Sequence, residues 1–135
     1  MINKVVTSKR KLTGSEQRDL DLEIRFMTGL TTKDPEFVEA WRVLATDHAS
    51  LGKTTEARVA LEKLTALEPH NPCTLYDLAC AYSLEREVDF GVAALIKAIA
   101  RGFDDFKWLL KDPDLGNLRK DPKFKKVWER LSVAK

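Results

Sequence analysis

Residues 38–71 read VEAWRVLATDHASLGKTTEARVALEKLTALEPHN, and residues 72–105 read PCTLYDLACAYSLEREVDFGVAALIKAIARGFDD. Laid over one another, Leu44 falls on Leu78, Ala45 on Ala79, Ala57 on Gly91, Ala60 on Ala94 and Leu61 on Leu95. Small residues meet small and large meet large. Two helices need that pattern to approach closely at one level and interlock at the next. Apolar residues recur at spacings of three and four, and no stretch alternates for long enough to suggest a half-buried strand. An all-α fold of antiparallel helix pairs follows.

The same 34-residue shift extends upstream, placing Met27 on Leu61, Leu30 on Leu64, Pro35 on Pro69 and Val38 on Pro72. Residues 14–37 therefore read as the second helix of a half unit. Thr13-Gly14-Ser15-Glu16 has the form of a capping box, in which the Thr hydroxyl accepts the third amide and Glu16 reaches back. Asp34-Pro35, Asp112-Pro113 and Asp121-Pro122 each pair a good N-cap with a residue tolerated at the first helical position, so each reads as a helix start. Gly52 and Gly102 read as stops or turns, with Thr54 or Thr55 capping the helix after Gly52. The expected helices lie near 14–31, 36–50, 54–67, 72–85, 89–101, 105–110 and 121–132, about seven in all. Short connections make sequential neighbours antiparallel.

Composition excludes several classes. The chain has 135 residues, 44% apolar and 33% charged, with 6 Gly and 5 Pro, which fits a packed domain and neither a collagen-like nor a disordered chain. Two cysteines cannot staple a secreted miniprotein, and the N-terminus lacks the apolar segment of a signal peptide, so a reducing cytoplasm is expected. No apolar run approaches the roughly 18 residues of a membrane span.

The net charge of +2 hides an asymmetry. Residues 1–18 carry five cations and one carboxylate, and residues 117–135 carry seven and two. The middle holds eleven cations against eighteen carboxylates, so a body of −7 lies between ends of +4 and +5. Lys9, Arg10, Lys11, Lys123, Lys125 and Lys126 form a possible contact patch for phosphates or an acidic protein, since clustered cations gain affinity by releasing counterions. The competing reading is a set of charges that complement a helix dipole and aid solubility. The acidic body and the lack of interleaved aromatics argue against sequence-specific nucleic-acid readout.

With these residues in place the chain resembles the tetratricopeptide repeat (TPR) family, whose 34-residue helix-turn-helix carries Trp, Leu, a small residue and an aromatic on its first helix, then Ala, a large apolar residue, Ala and Pro on its second. Residues 38–71 match as repeat 1 through Trp41, Leu44, Ala45, Ala57, Leu61 and Pro69, with His48 and Leu64 as departures. Residues 72–105 match as repeat 2 through Leu75, Leu78, Ala79, Tyr82, Leu95 and Ala98. Gly91 and Phe103 depart there, and the turn Glu85-Arg86-Glu87-Val88 lacks the usual Gly. Residues 106–135 look like the closing segment found after the last repeat in some bacterial members, and residues 1–13 form a basic, flexible arm.

The resemblance implies a right-handed superhelical array, an α-solenoid, whose first helices line a groove for a partner peptide. Its groove positions correspond to Glu39, Arg42, Thr46 and Ala49 in repeat 1 and to Cys73, Tyr76, Cys80 and Ser83 in repeat 2, with Asp77 beside them. Only Arg42 is of the kind used to clamp a chaperone carboxylate, so that activity is not implied. The expected role is a non-enzymatic scaffold or adaptor that binds another protein. A basic-ended RNA- or ribosome-associated factor and a self-associating assembly protein are the alternatives.

Enzyme motifs are weak. Gly52-Lys53-Thr54 echoes a phosphate loop, but Asp47 stands where the loop needs its first Gly, and no strand precedes it. Cys73 and Cys80 are about 10 Å apart along a helix, too far for a disulfide, and His48 and His70 complete no tetrahedral metal site with them. No catalytic residue, metal or cofactor is expected.

Overall fold

The structure, a computed structural model, describes residues 11–133. Among the described residues it is all-helical. Helix α1 spans Gly14–Lys33, α2 Val38–Ser50, α3 Thr54–Leu67, α4 Pro72–Leu84 and α5 Val88–Ala100. A broken segment follows, with α6 at Phe106–Leu109, a 3-10 turn at Pro113–Leu115, α7 at Gly116–Arg119 and α8 at Pro122–Val133. The expected short helix near 105–110 is α6, and Asp112-Pro113 opens a helical turn as expected, with the Asp112 side chain accepting from the Asp114 amide at 3.0 Å, whereas α7 has no counterpart in the expected set. Lys9 and Arg10 lie outside the described residues.

Local chemistry explains most boundaries. The capping box at Thr13 forms, with the Glu16 amide donating to Thr13 Oγ1 at 3.1 Å and the Thr13 amide donating to Glu16 Oε1 at 2.9 Å. Asn71 caps α4 by accepting from the Cys73 and Thr74 amides, with Pro72 at the first position. Asp121 opens α8 by accepting from the Lys123 amide at 2.9 Å.

Two expectations fail at helix starts. Asp34-Pro35 does not begin α2: the Asp34 amide closes α1 on the Leu30 carbonyl, and the Asp34 carboxyl takes the Glu36 amide at 3.1 Å. The Trp41 indole donates to the Pro35 carbonyl at 2.8 Å, which ties that carbonyl into the turn, so α2 starts at Val38. The cap of α3 is Lys53, with no side-chain bond, because the Thr55 hydroxyl donates instead to Glu85 across the repeat.

The pairs α2/α3 and α4/α5 pack along their lengths, α1 lies on α2, and α3 on α4. Ala45, Ala57, Ala60, Ala79, Ala94 and Ala98 are buried where helices touch, and Leu61, Leu64, Leu75 and Leu95 fill the spaces between. Equivalent turns match even where the sequence differs. Gly52 has φ +75°, and Arg86, 34 residues later, takes the same left-handed region at φ +61°.

The last quarter of the chain closes the free face of α4 and α5. Leu109, Leu115 and Leu118 are fully buried, each contributing about 1.5–3 kcal/mol of transfer free energy. Gly91 makes the approach of Leu118 possible, since a Cβ there would lie 2.8 Å from Leu118 Cδ2. Phe103 stacks on Tyr76 with ring centroids 4.2 Å apart. Two departures from the repeat pattern, Gly91 and Phe103, are thus positions where the closing segment docks.

Candidate recognition surface

The expected groove residues separate into two groups. On α2, Glu39 and Thr46 are exposed and Arg42 is half-buried, whereas Ala49 is buried. Arg42 Nε donates to Glu39 Oε1 at 3.0 Å and its Nη2 to Glu68 Oε1 at 2.8 Å, while Asn71 Nδ2 reaches the same Glu68 oxygen at 3.3 Å. Burial works against the Arg42 charge, but the bonds to Glu68 and Glu39 outweigh it and raise the pKa above the ordinary guanidinium value. This fork is preorganised, because its geometry is held before any ligand arrives. The Thr46 hydroxyl donates to the Arg42 carbonyl at 3.0 Å, so its methyl and the neighbouring helix surface remain available.

On α4 the picture reverses. Tyr76, Asp77, Cys80 and Ser83 are all buried, which corrects the expectation that they face an open groove, and Cys73 is half-buried. Tyr76 Oη donates to Asp112 Oδ2 at 2.7 Å, and Cys80 Sγ lies 3.7 Å from the same oxygen. Asn117 Nδ2 donates to the Ser83 carbonyl at 2.9 Å. Arg119 Nη1 donates to the carbonyls of Leu109 and Asp112, holding the segment closed. Burial, followed by the Cys80 and Asp112 interactions, pushes the Tyr76 phenol far above its ordinary pKa. The chain covers half of its own expected groove.

Sequence reasoning missed a second polar surface. Arg58 bonds both Glu85 and Glu62, and Tyr82 Oη donates to Glu62 Oε2 at 2.6 Å. Burial and that bond push the Tyr82 pKa up to about 12. Phe90, 61% exposed, stacks on Tyr82 at 5.4 Å and helps line a cleft of about 410 Å³ with Arg58, Glu85 and Glu87. Arg58 and Glu62 are legible as an i, i+4 pair. Glu85 is not, because only the superposition of successive units brings it there.

The α1–α2 joint holds two acids. Asp47 is 5% exposed with Oδ2 lacking a hydrogen-bond partner, and Glu23 reaches it from α1. Burial, reinforced by Glu23, pushes the Asp47 pKa from 3.8 to about 7. Beside it, Trp41, Leu44, His48, Thr28, Thr31 and Val59 line a mostly apolar cleft of about 310 Å³, and burial lowers the His48 pKa.

Among the described residues the expected basic patch does not converge. Lys11 precedes α1, while Lys123, Lys125 and Lys126 sit on α8 beyond both helix pairs. Lys123 is paired with Asp89 at 2.6 Å, leaving Lys125 and Lys126 as exposed cations of that group. Gly52-Lys53-Thr54 forms the turn between α2 and α3. Among the described residues no group of three or more His, Cys, Asp or Glu is arranged to hold a metal. No helix there is long and apolar enough to cross a membrane.

No protein-family profile matches the chain. Over 76 residues, 54% of its length, the chain is 37% identical to a chloroplastic protein of Arabidopsis thaliana. That match covers 23% of the plant protein, so the chain spans about a quarter of this relative.

Proposed function

We propose that the chain is a short TPR-like module that binds another protein through the α2 half of its concave face and performs no chemistry of its own. The observation that carries this reading is the preorganised fork of Arg42 on Glu39 and Glu68, beside exposed Thr46, at the first-helix positions where a repeat of this kind receives a peptide. The 34-residue recurrence supports the architecture, with Gly52 and Arg86 in the same left-handed conformation and Asp34-Pro35 and Glu68-Pro69 in the same kind of turn. In this reading the segment from Phe103 to Arg119 takes the place of a following helix and ends the array.

The fitting ligand is an extended polar peptide. Its acceptors would meet Arg42, and its donors would meet the carboxyl oxygens of Glu39 and Glu68.

The test is affinity capture from native extract to identify a partner, followed by calorimetry with the purified pair. Thr46→Arg, which fills the open face, should weaken binding at least tenfold with an unchanged Tm, and Arg42→Ala should weaken it as far while lowering Tm through the loss of its bonds to Glu39 and Glu68. Tyr76→Phe, altered beneath the closing segment, should bind as the parent does. Undiminished affinity in Thr46→Arg would overturn the assignment.

A further inference from the structure

The outer face of α1 has a pattern that its own fold does not use. Glu16, Leu20, Ile24, Met27, Leu30 and Thr31 are at least half-covered and face the body, while Ser15, Asp19, Leu22, Phe26, Gly29 and Lys33 are all exposed. Six of the fourteen exposed positions of α1 thus form a row at spacings of 4, 3, 4, 3 and 4 residues, the spacing of a two-helix coiled-coil seam. Its centre is apolar, with Leu22 58% and Phe26 64% exposed one turn apart.

Gly29 adds an independent observation. Glycine inside a helix is unfavourable relative to Ala, and a Cβ at this position would meet nothing within 4 Å, so no contact among the described residues requires it. A second helix packed on this face would make use of it, because a bare backbone beside Phe26 leaves space for another aromatic ring.

Charge selects the occupant. One flank of the seam carries Arg18 and Arg25, and the other carries Glu23, which also stands against the buried Asp47 carboxyl. When two such helices lie parallel, the residue just before one seam position faces the opposite flank of its partner five residues on, which matches Arg18 with Glu23. Antiparallel, like flanks meet and the charges repel.

We propose that two copies of this chain associate through α1, parallel and about a twofold axis running along the helices, with Leu22 and Phe26 meeting their counterparts and Arg18 of each copy pairing with Glu23 of the other. The two Asp19 side chains lie beside the Arg18 side chains, which offset their repulsion, and the two Lys33 side chains fall at the open ends. This surface is separate from the Arg42 face, so either assignment stands if the other fails.

Sedimentation equilibrium of the full chain between about 10 μM and 1 mM, the range expected of a small interface, tests it. The parent should rise from 15.3 kDa towards twice that mass. Leu22→Ser with Phe26→Ser should stay at the mass of one chain with an unchanged Tm, since both side chains are exposed. Arg18→Glu alone and Glu23→Arg alone should each associate at least tenfold more weakly. An equimolar mixture of those two variants should recover the parent's association, because both contacts of the mixed pair again join opposite charges. A parent that stays at 15.3 kDa to 1 mM, dimerisation that survives the double Ser variant, or a mixture that restores nothing would each overturn the proposal.

Discussion

Tyr76 donates a 2.7 Å hydrogen bond to the fully buried carboxyl of Asp112, 36 residues along the chain. The Asp112 side chain also accepts from the Asp114 amide at 3.0 Å, so one residue joins the inner face of α4 to the turn in the middle of the closing segment. Removing Tyr76 Oη leaves a buried acceptor with one bond fewer, which costs about 1–3 kcal/mol. Tyr76→Phe should therefore lower stability by that amount in urea melts, and Asp112→Ala by more, since it also strips the Asp114 amide of its acceptor.

Arg86 occupies left-handed backbone where the preceding unit has Gly52. An L-residue there costs about 1–2 kcal/mol, partly offset by the greater unfolded-chain entropy of glycine. Arg86→Gly should stabilise the fold by about 0.5–1 kcal/mol, visible as a rise of a few degrees in Tm. Gly52→Ala should destabilise it.

Gly91 lies under Leu118, with no room for a Cβ. Gly91→Ala should displace that leucine and cost about 1–3 kcal/mol by overpacking. The loss should concentrate in the closing segment, so hydrogen exchange should rise at Leu115 to Arg119 more than in α2 and α3.

Asp47 gives stability a pH dependence. The folded state holds its proton to about pH 7, whereas the unfolded chain releases it near 3.8. Folded protein therefore binds more protons between those values, and this contribution to stability is present below about pH 4 and lost as pH rises through 7. Asp47→Asn should leave Tm near that of the parent at pH 4 and raise it at pH 8, because an amide can donate to Glu23 without ionising. A variant-minus-parent difference in Tm that does not change with pH would contradict this account.

The helices are legible in the sequence because their causes are local. Alternating small and large residues at helical spacing, the Thr13 box, Asp121-Pro122 and Gly52 act within one turn of where they stand. Even so, Asp34-Pro35 misleads, since the choice between opening α2 and closing α1 rests on the Trp41 indole taking the Pro35 carbonyl. That bond exists only once α2 has formed.

The surface is a different matter. Groove positions on α2 and α4 look alike in a 34-residue alignment, and nothing within α4 says that Tyr76, Cys80 and Ser83 are covered. Asp112 and Asn117 cover them from 32 or more residues away, through contacts that depend on the angle at which the closing segment crosses α4 and α5. Period, handedness of turns and the internal polarity of each helix come from neighbours along the chain, so the amino-acid order is enough to specify them. Which face stays open depends on which distant segment comes to lie on it, and only packing in three dimensions decides that.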